Sequence, residues 1–221
     1  MKKIAIFGIA VVILVVLFAG GAQFYRGQKA REAAQMAAKN KESLVRFHSP
    51  TLGKADAPVH IVEFFDPACE TCAAFYPLVK KIMAAHPEAI RLTVRYAPFH
   101  EGSGEVVKLL EASRKQGRYW QAFEALVAAQ PEWVEHHRAR VDLAWPHLIK
   151  AGLDADRLKS DMQSPDIARA IAQDMADART LQVSKTPEFF VNGRPLPSFG
   201  FEQLRDLVDE ELSLTSKGRA G

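Results

Sequence analysis

The chain is poor in cysteine: Cys69 and Cys72 are the only two among 221 residues. That scarcity excludes a framework of several disulfides, and a tetrahedral metal site made of cysteines alone, which needs four. Also missing are a glycine-rich phosphate loop, a Ser–His–Asp set and a paired-carboxylate constellation. Nucleotide binding, serine-type acyl transfer and glycosidase chemistry therefore lack their usual carriers. No internal repeat emerges. A strong net charge is lacking too. The total is +3, but residues 1–46 hold eight Lys/Arg against two Glu, a net +6, which leaves −3 for the rest. A mildly acidic body behind a basic tail argues against nucleic-acid binding by the globular part. With 48% hydrophobic and 25% charged residues, that part has the composition of a packed domain.

The N-terminus carries a long apolar run, Ile4 to Ala22 (IAIFGIAVVILVVLFAGGA), behind Lys2-Lys3. As a helix, at about 1.5 Å per residue, it spans about 28 Å, close to the hydrocarbon thickness of a bilayer. Its length favours a retained transmembrane anchor over a removed signal, whose apolar region is usually about 7–15 residues. Gly20-Gly21-Ala22 nevertheless offers a cleavage site, so both readings stand. Each places the body outside the cytoplasm if Lys2-Lys3 stays inside. Residues 1–22 are thus an anchor or signal segment. Residues 23–46, alanine-rich and polar, form a helical spacer with some capacity for self-association.

A single domain is expected over 47–212, with a flexible tail at 213–221. Val59-His60-Ile61-Val62-Glu63-Phe64-Phe65 is β-branched and aromatic and reads as a buried strand. A helix begins around Cys69, and Ile90 to Tyr96 alternates as a second strand, so strand, helix and strand form a parallel crossover. From about 100 to 182 the patterns are helical, an all-helical insertion. Strand character returns at Glu188-Phe189-Phe190-Val191, followed by Asn192-Gly193, a strong hairpin signal, and a closing amphipathic helix. The expected fold is α/β, a mixed sheet interrupted by helices.

Two cysteines three apart can clip a metal, staple a loop or exchange electrons. One C-x-x-C supplies only half of a zinc site, and the nearest histidines are His60 and His86. A staple across so small a loop stabilises little. Soft-metal binding, above all of copper(I), remains the rival from another class, without a third cysteine nearby to support it. Redox exchange has the best physical case. A sulfur at the start of a helix faces unpaired backbone N–H groups and the positive end of the dipole, and both favour thiolate. Cys69 is then the nucleophile. Cys72, one turn in and more buried, resolves the mixed disulfide.

VEFFDPACETC resembles the active-site segment of the thioredoxin fold, and more closely that of the DsbA-like thiol-disulfide oxidoreductases. The likeness extends through SPTLGKADAPVHIVEFFD, QGRYWQAFEALVAAQ and the stretch from AGLDADRLKSDM to KTPEFFVNGRPL, covering roughly residues 47–212. It implies a thioredoxin-like mixed sheet with a helical insertion, and thiol-disulfide exchange with extracytoplasmic proteins. Dithiol oxidation is the expected direction and disulfide isomerisation or reduction the alternative. No cofactor beyond the Cys69–Cys72 disulfide, and no metal, is implied. The implied partners are cysteine-containing proteins and a membrane redox protein that reoxidises or reduces the pair. The implied location is the bacterial inner membrane, facing the periplasm, or the periplasm itself after cleavage.

The resemblance also implies roles for particular residues. Thr186-Pro187 matches a threonine and cis-proline that face the cysteines and dock substrate backbone; an ordinary trans proline is the bland alternative. Glu63 stands where the family often has a buried acid that takes the Cys72 proton, although a strand carboxylate paired to a lysine would look the same. Glu70 and Thr71 depart from the strongest oxidants, since a carboxylate beside Cys69 opposes its thiolate. Gln182 and Lys185 replace family glycines, and Lys185 is expected either to offset Glu70 or to face solvent.

Overall fold

The computed structural model describes the backbone of residues 2–218 and the side chains from Leu14 to Ser216, apart from several within the first helix. It divides into two units, 1–39 and 40–221. The first unit is helical from Lys2, and the helix α1 (Lys2–Leu44) carries the chain through the expected anchor and spacer. The anchor expected at 1–22 rests largely on residues 1–13, whose side chains lie outside the described residues. Among the described residues, no helix is long and apolar enough to cross a membrane.

In the second unit, β1 (Thr51–Leu52), β2 (Val59–Phe65) and β3 (Ile90–Tyr96) join β6 (Glu188–Val191) and β7 (Arg194–Pro195) in one sheet of order β1-β3-β2-β6-β7. Strands β2 and β3 pair in parallel across the helix α2 (Glu70–Ala85), and β6 runs antiparallel to β2. This is the expected mixed sheet. Between β3 and β6 lie α3 (Ser103–Lys115), α4 (Tyr119–Ala128), α5 (Gln130–Trp133), α6 (Val141–Lys150), α7 (Ala155–Asp161) and α8 (Pro165–Thr180). The insertion is not wholly helical: β4 (Val134–Glu135) and β5 (Arg138–Ala139) form a hairpin inside it. Its turn residues His136 and His137 have φ of 50° and 61°, the left-handed conformation that histidine adopts more often than most residues. The Asn192-Gly193 turn does form, with φ of 48° and 86°, joining β6 to β7. The last helix, α9 (Phe201–Gly218), continues past the limit expected at Leu212, so the tail assigned to 213–221 is helical to Gly218. Residues 219–221 lie outside the described residues.

The alternation of side chains along β2 decides what sits behind the cysteines. Val59, Ile61 and Phe65 share a core with Cys69, Cys72, Tyr76 and Val79 of the α2 side and with Leu204 and Val208 of α9. Val62 and Phe64 join Leu44, Ala97, Ala178 and Phe190 in the smaller core on the other face. Glu63 has the parity of Ile61 and Phe65, so it points toward α2. Along α2 the buried residues Cys72, Tyr76, Val79 and Met83 recur at three- and four-residue spacing, the stripe a core-facing helix needs.

The opposite parity on β3 buries an ion cluster. Arg95, fully inaccessible, places Nη2 2.6 Å from Asp177 Oδ2 and donates through Nε to Asp174 Oδ1 at 2.9 Å, both aspartates standing on α8. The cluster also captures the chain before the domain. Arg46 donates to both oxygens of Asp177, His48 Nε2 lies 2.7 Å from Asp174, and Arg95 Nη1 donates to the Ser43 carbonyl. Asn40 donates to the Gly193 carbonyl and Leu44 is buried. Residues 40–46, expected in the spacer, therefore belong to the globular unit. A charge shared by two buried carboxylates is costly to remove, because its loss leaves them unpaired. Arg95→Met should lower stability by about 3–5 kcal/mol, read as a fall in the urea midpoint of the 40–221 unit.

Candidate active site

The turn before α2 is built by one aspartate. Asp66, with no exposed surface, accepts the Ala68 N–H on Oδ1 (2.9 Å) and the Phe99 and His100 N–H groups on Oδ2 (2.7 and 2.9 Å). It also accepts from Ser103 Oγ and lies 2.7 Å from His100 Nδ1. The β2–α2 and β3–α3 loops are thereby fastened to each other. From the insertion, Gln130 Nε2 donates to the carbonyls of Pro67 and Cys69 (2.8 and 3.1 Å). The turn that carries the first cysteine is held from both sides.

Cys69 is the N-cap of α2, with extended backbone (φ −79°, ψ 108°), and its sulfur accepts the Cys72 N–H at 3.2 Å. That sulfur takes up one of the donors a helix start leaves unpaired. Both cysteines are free thiols, and Cys69 retains 3% exposure where Cys72 retains none. Sulfur 69 is the one an incoming thiol can reach. The Thr186–Pro187 peptide is cis, and the Thr186 carbonyl accepts from Cys69 Sγ at 3.3 Å. Threonine and proline thus face the cysteines as the resemblance implied.

Two thiols three residues apart are driven to opposite protonation. Hydrogen bonding from Cys72 lowers the Cys69 thiol to about 6; burial and the charge of Asp66 oppose this, while Thr186 reinforces it. Burial pushes the Cys72 thiol well up, and the neighbouring Cys69 and Glu63 push it further. Glu63 is fully buried, and neither carboxylate oxygen has a hydrogen-bond partner. Burial, then the charge on Cys69, raises it well above the ordinary carboxylate range, so the site favours its protonated form. The lysine-paired alternative for Glu63 is not what the structure holds.

The dipeptide between the cysteines is different. Glu70 and Thr71 stand exposed in the first turn of α2. Lys185 does not reach Glu70: its ammonium lies over the Phe199 ring, 5.6 Å from the centroid. Of the two placements expected for Lys185, the structure holds the solvent-exposed one and not the compensation of Glu70. Glu70 faces a residue the sequence analysis left aside, His137 of the β4–β5 turn, with Nδ1 3.9 Å from Oε2. Gln182 shows why the family favours glycine there. Its φ is 59°, the left-handed conformation that follows a helix end, here α8.

Asp66, Gln130 and His137 are the site residues that sequence reasoning missed. Asp66, three residues before Cys69 and followed by proline, is the one with a local signal, since aspartate in that position favours a side-chain-closed turn. His100, in the loop after β3, has its ring tied to the buried carboxylate of Asp66. Gln130 and His137 reach the site only through the packing of the insertion.

Comparison with known proteins agrees with this geometry. The family model described as thioredoxin matches residues 47–210. A thioredoxin-like oxidoreductase from Silicibacter pomeroyi is 31% identical, with 78% of this chain and 97% of that chain covered at a TM-score of 0.68. Oxidised BdbD from Bacillus subtilis shares the fold at 23% identity, with 75% and 94% covered and a TM-score of 0.67. Among curated proteins, a Na(+)/H(+) antiporter NhaA 3 of Salinispora tropica is 31% identical over 145 residues. The match covers 64% of this chain and 21% of that relative, so the chain spans about a fifth of the length of the curated relatives it matches.

Two measurements follow from the site. Absorbance of the thiolate in the reduced protein should rise with a midpoint near 6, from Cys69, with Cys72 still protonated well above that. Because the Cys69 value is depressed in the folded state, reduced protein should gain stability as pH rises from that midpoint toward the thiol's ordinary range. Glu63 has the reverse sign. Its raised value favours folding below the carboxylate's ordinary range and penalises it increasingly above, until pH passes the folded value. Glu63→Leu should therefore stabilise the protein more at pH 8 than at pH 4 in urea unfolding, while slowing disulfide exchange.

Proposed function

We infer what the chain does from what it is: it belongs to the thioredoxin family and is a protein thiol-disulfide oxidoreductase. We propose that it acts as a dithiol oxidase on cysteine-containing proteins outside the cytoplasm. The observation that carries this reading is the depressed thiol of Cys69, capping α2 opposite Thr186. A site that stabilises its own thiolate favours its own reduced form, and so favours taking electrons from a substrate.

In the forward direction the Cys69–Cys72 disulfide meets a substrate thiolate. The substrate sulfur bonds to Cys69, the Cys69–Cys72 bond breaks, and Cys72 leaves with the electron pair. A buried thiolate is costly, so Cys72 takes a proton, which the raised carboxyl of Glu63 is placed to give. A second substrate thiolate then attacks the substrate sulfur of the mixed disulfide and releases Cys69 as thiolate. The substrate has lost two electrons, and the protein holds a thiolate at Cys69 and a thiol at Cys72. Thr186 and Pro187 position the incoming chain, whose backbone can pair beside the Thr186 carbonyl. A membrane redox protein would reoxidise the dithiol.

The apolar run behind Lys2-Lys3 supports tethering to the bacterial inner membrane with the 40–221 unit in the periplasm; removal of that run would leave the unit soluble there. The alanine-rich spacer supports self-association. A second reading, isomerase or reductase, has one observation in its favour: Glu70, a carboxylate adjoining Cys69, opposes the thiolate and lowers the oxidising power.

Cys72→Ser, reduced, should accumulate mixed disulfides linked through Cys69 when mixed with a disulfide-bonded substrate, since Cys69 displaces one substrate thiolate and nothing resolves the bond. Accumulation by Cys69→Ser instead would reverse the roles. Titration against glutathione decides direction: a strongly oxidising potential supports the oxidase, and one near that of thioredoxin, about −270 mV, supports the reductase.

A further inference from the structure

A carboxylate one residue from the reactive sulfur raises the question of what balances it. Two acids adjoin Cys69, Glu70 after it and Asp66 before it, and the charge of Asp66 already works against the thiolate. Each is faced by a histidine. Asp66 Oδ2 lies 2.7 Å from His100 Nδ1, and Glu70 Oε2 lies 3.9 Å from His137 Nδ1. The two imidazoles stack on each other, with centroids 5.0 Å apart and planes 22° from parallel. The four side chains form a continuous line, Asp66–His100–His137–Glu70, running beside Cys69.

We propose that His137, carried into the site by the β4–β5 hairpin of the insertion, is a positioning residue of the redox centre: backed by His100 and Asp66, it holds and offsets the Glu70 carboxylate and so keeps the Cys69 thiolate stable. The proposal rests on the thiol-disulfide reading above. The hairpin is set for this task. His137 occupies its left-handed turn, Ala139 N–H donates to the Glu101 carbonyl, and Arg138 forms a two-pronged ion pair with Glu101. The loop that carries His100 and the turn that carries His137 are therefore fastened to each other. Stacked imidazoles repel when both are charged, and each of these two also faces a carboxylate.

The charged groups around this line come from every neighbouring element: Cys69 and Glu70 at the start of α2, Asp66 before it, Glu101 and Arg138 in their own pair, and Glu135, 3.9 Å from His136 in the same hairpin. Of these, the histidines are the side-chain type that changes charge between about pH 5 and 8. A protonated imidazole at His137 offsets Glu70, and a neutral one leaves Glu70 acting on Cys69 unopposed. The insertion thus supplies in space the cation that the Glu70-Thr71 dipeptide lacks in sequence.

The test is a double-mutant cycle on the reduced full chain, reading the rate of Cys69 alkylation by iodoacetamide against pH and the glutathione redox equilibrium. His137→Asn removes the imidazole and keeps a residue that tolerates the left-handed backbone; Glu70→Gln removes the carboxylate at constant size. His137→Asn should slow alkylation at pH 6 by about two- to fivefold, the scale of a half-exposed ion pair, and shift the redox equilibrium toward the disulfide by a similar factor. The difference should fade by pH 8.5, and it should shrink when Glu70 is already Gln. No change at pH 6, or the same change in both backgrounds, overturns the proposal. If unaltered protein neither exchanges with glutathione nor alkylates faster than a free thiol, it is the underlying reading that fails, and the two failures are told apart. Should His137→Asn not fold, Glu70→Gln must still shift the glutathione redox equilibrium toward the dithiol by a factor that grows from pH 6 to pH 8; a shift independent of pH sinks the idea.

Discussion

The site depends on one hydrogen-bonded sulfur. Cys69 caps α2, and the sulfur that accepts the Cys72 N–H is the sulfur that must carry charge during exchange. A helix start offers donors without partners, and a thiolate satisfies them better than a thiol. The depressed value of Cys69 follows from this placement, and the raised value of Cys72 follows from the next turn being buried. Everything around the pair either holds that geometry or adjusts the charge it favours.

The holding is shared between distant parts of the chain. Asp66 closes the turn from within, Gln130 reaches the Pro67 and Cys69 carbonyls from α5, and the cis Thr186–Pro187 segment faces the sulfur from the start of β6. The adjusting is also distributed. Glu63 lies behind, buried and unpartnered, a group whose burial favours the proton it can give. Glu70 lies in front, exposed, where its charge is free to act and to be countered. Two carboxylates near one sulfur thus play opposite parts because water reaches only one of them.

Away from the site, the Arg95 cluster shows the same economy of parity. Successive residues of β3 point to opposite faces, so Val94 and Tyr96 fill the core with α2 while Arg95 meets Asp174 and Asp177 under α8. The cluster fastens residues 43–48 to the domain, which moved the boundary of the globular unit ahead of where composition alone put it.

Much of this was legible in the residues themselves, because the signals are local. Val59–Phe65 is a buried strand by its β-branched and aromatic run, Asn192-Gly193 a turn by its tolerance of positive φ, and Cys69-x-x-Cys72 a helix start by its place after a strand. The side of the sheet on which Glu63 lies follows from counting by twos. What tertiary structure alone decided were the meetings between segments far apart in sequence. His137 to Glu70, Gln130 to Cys69, Arg46 to Asp177 and Lys185 to Phe199 each depend on how the insertion and the terminal segments pack. The physical reason is range: backbone preference and side-chain period act over a few residues, whereas the partner of a charge is chosen by the folded surface it finds itself against.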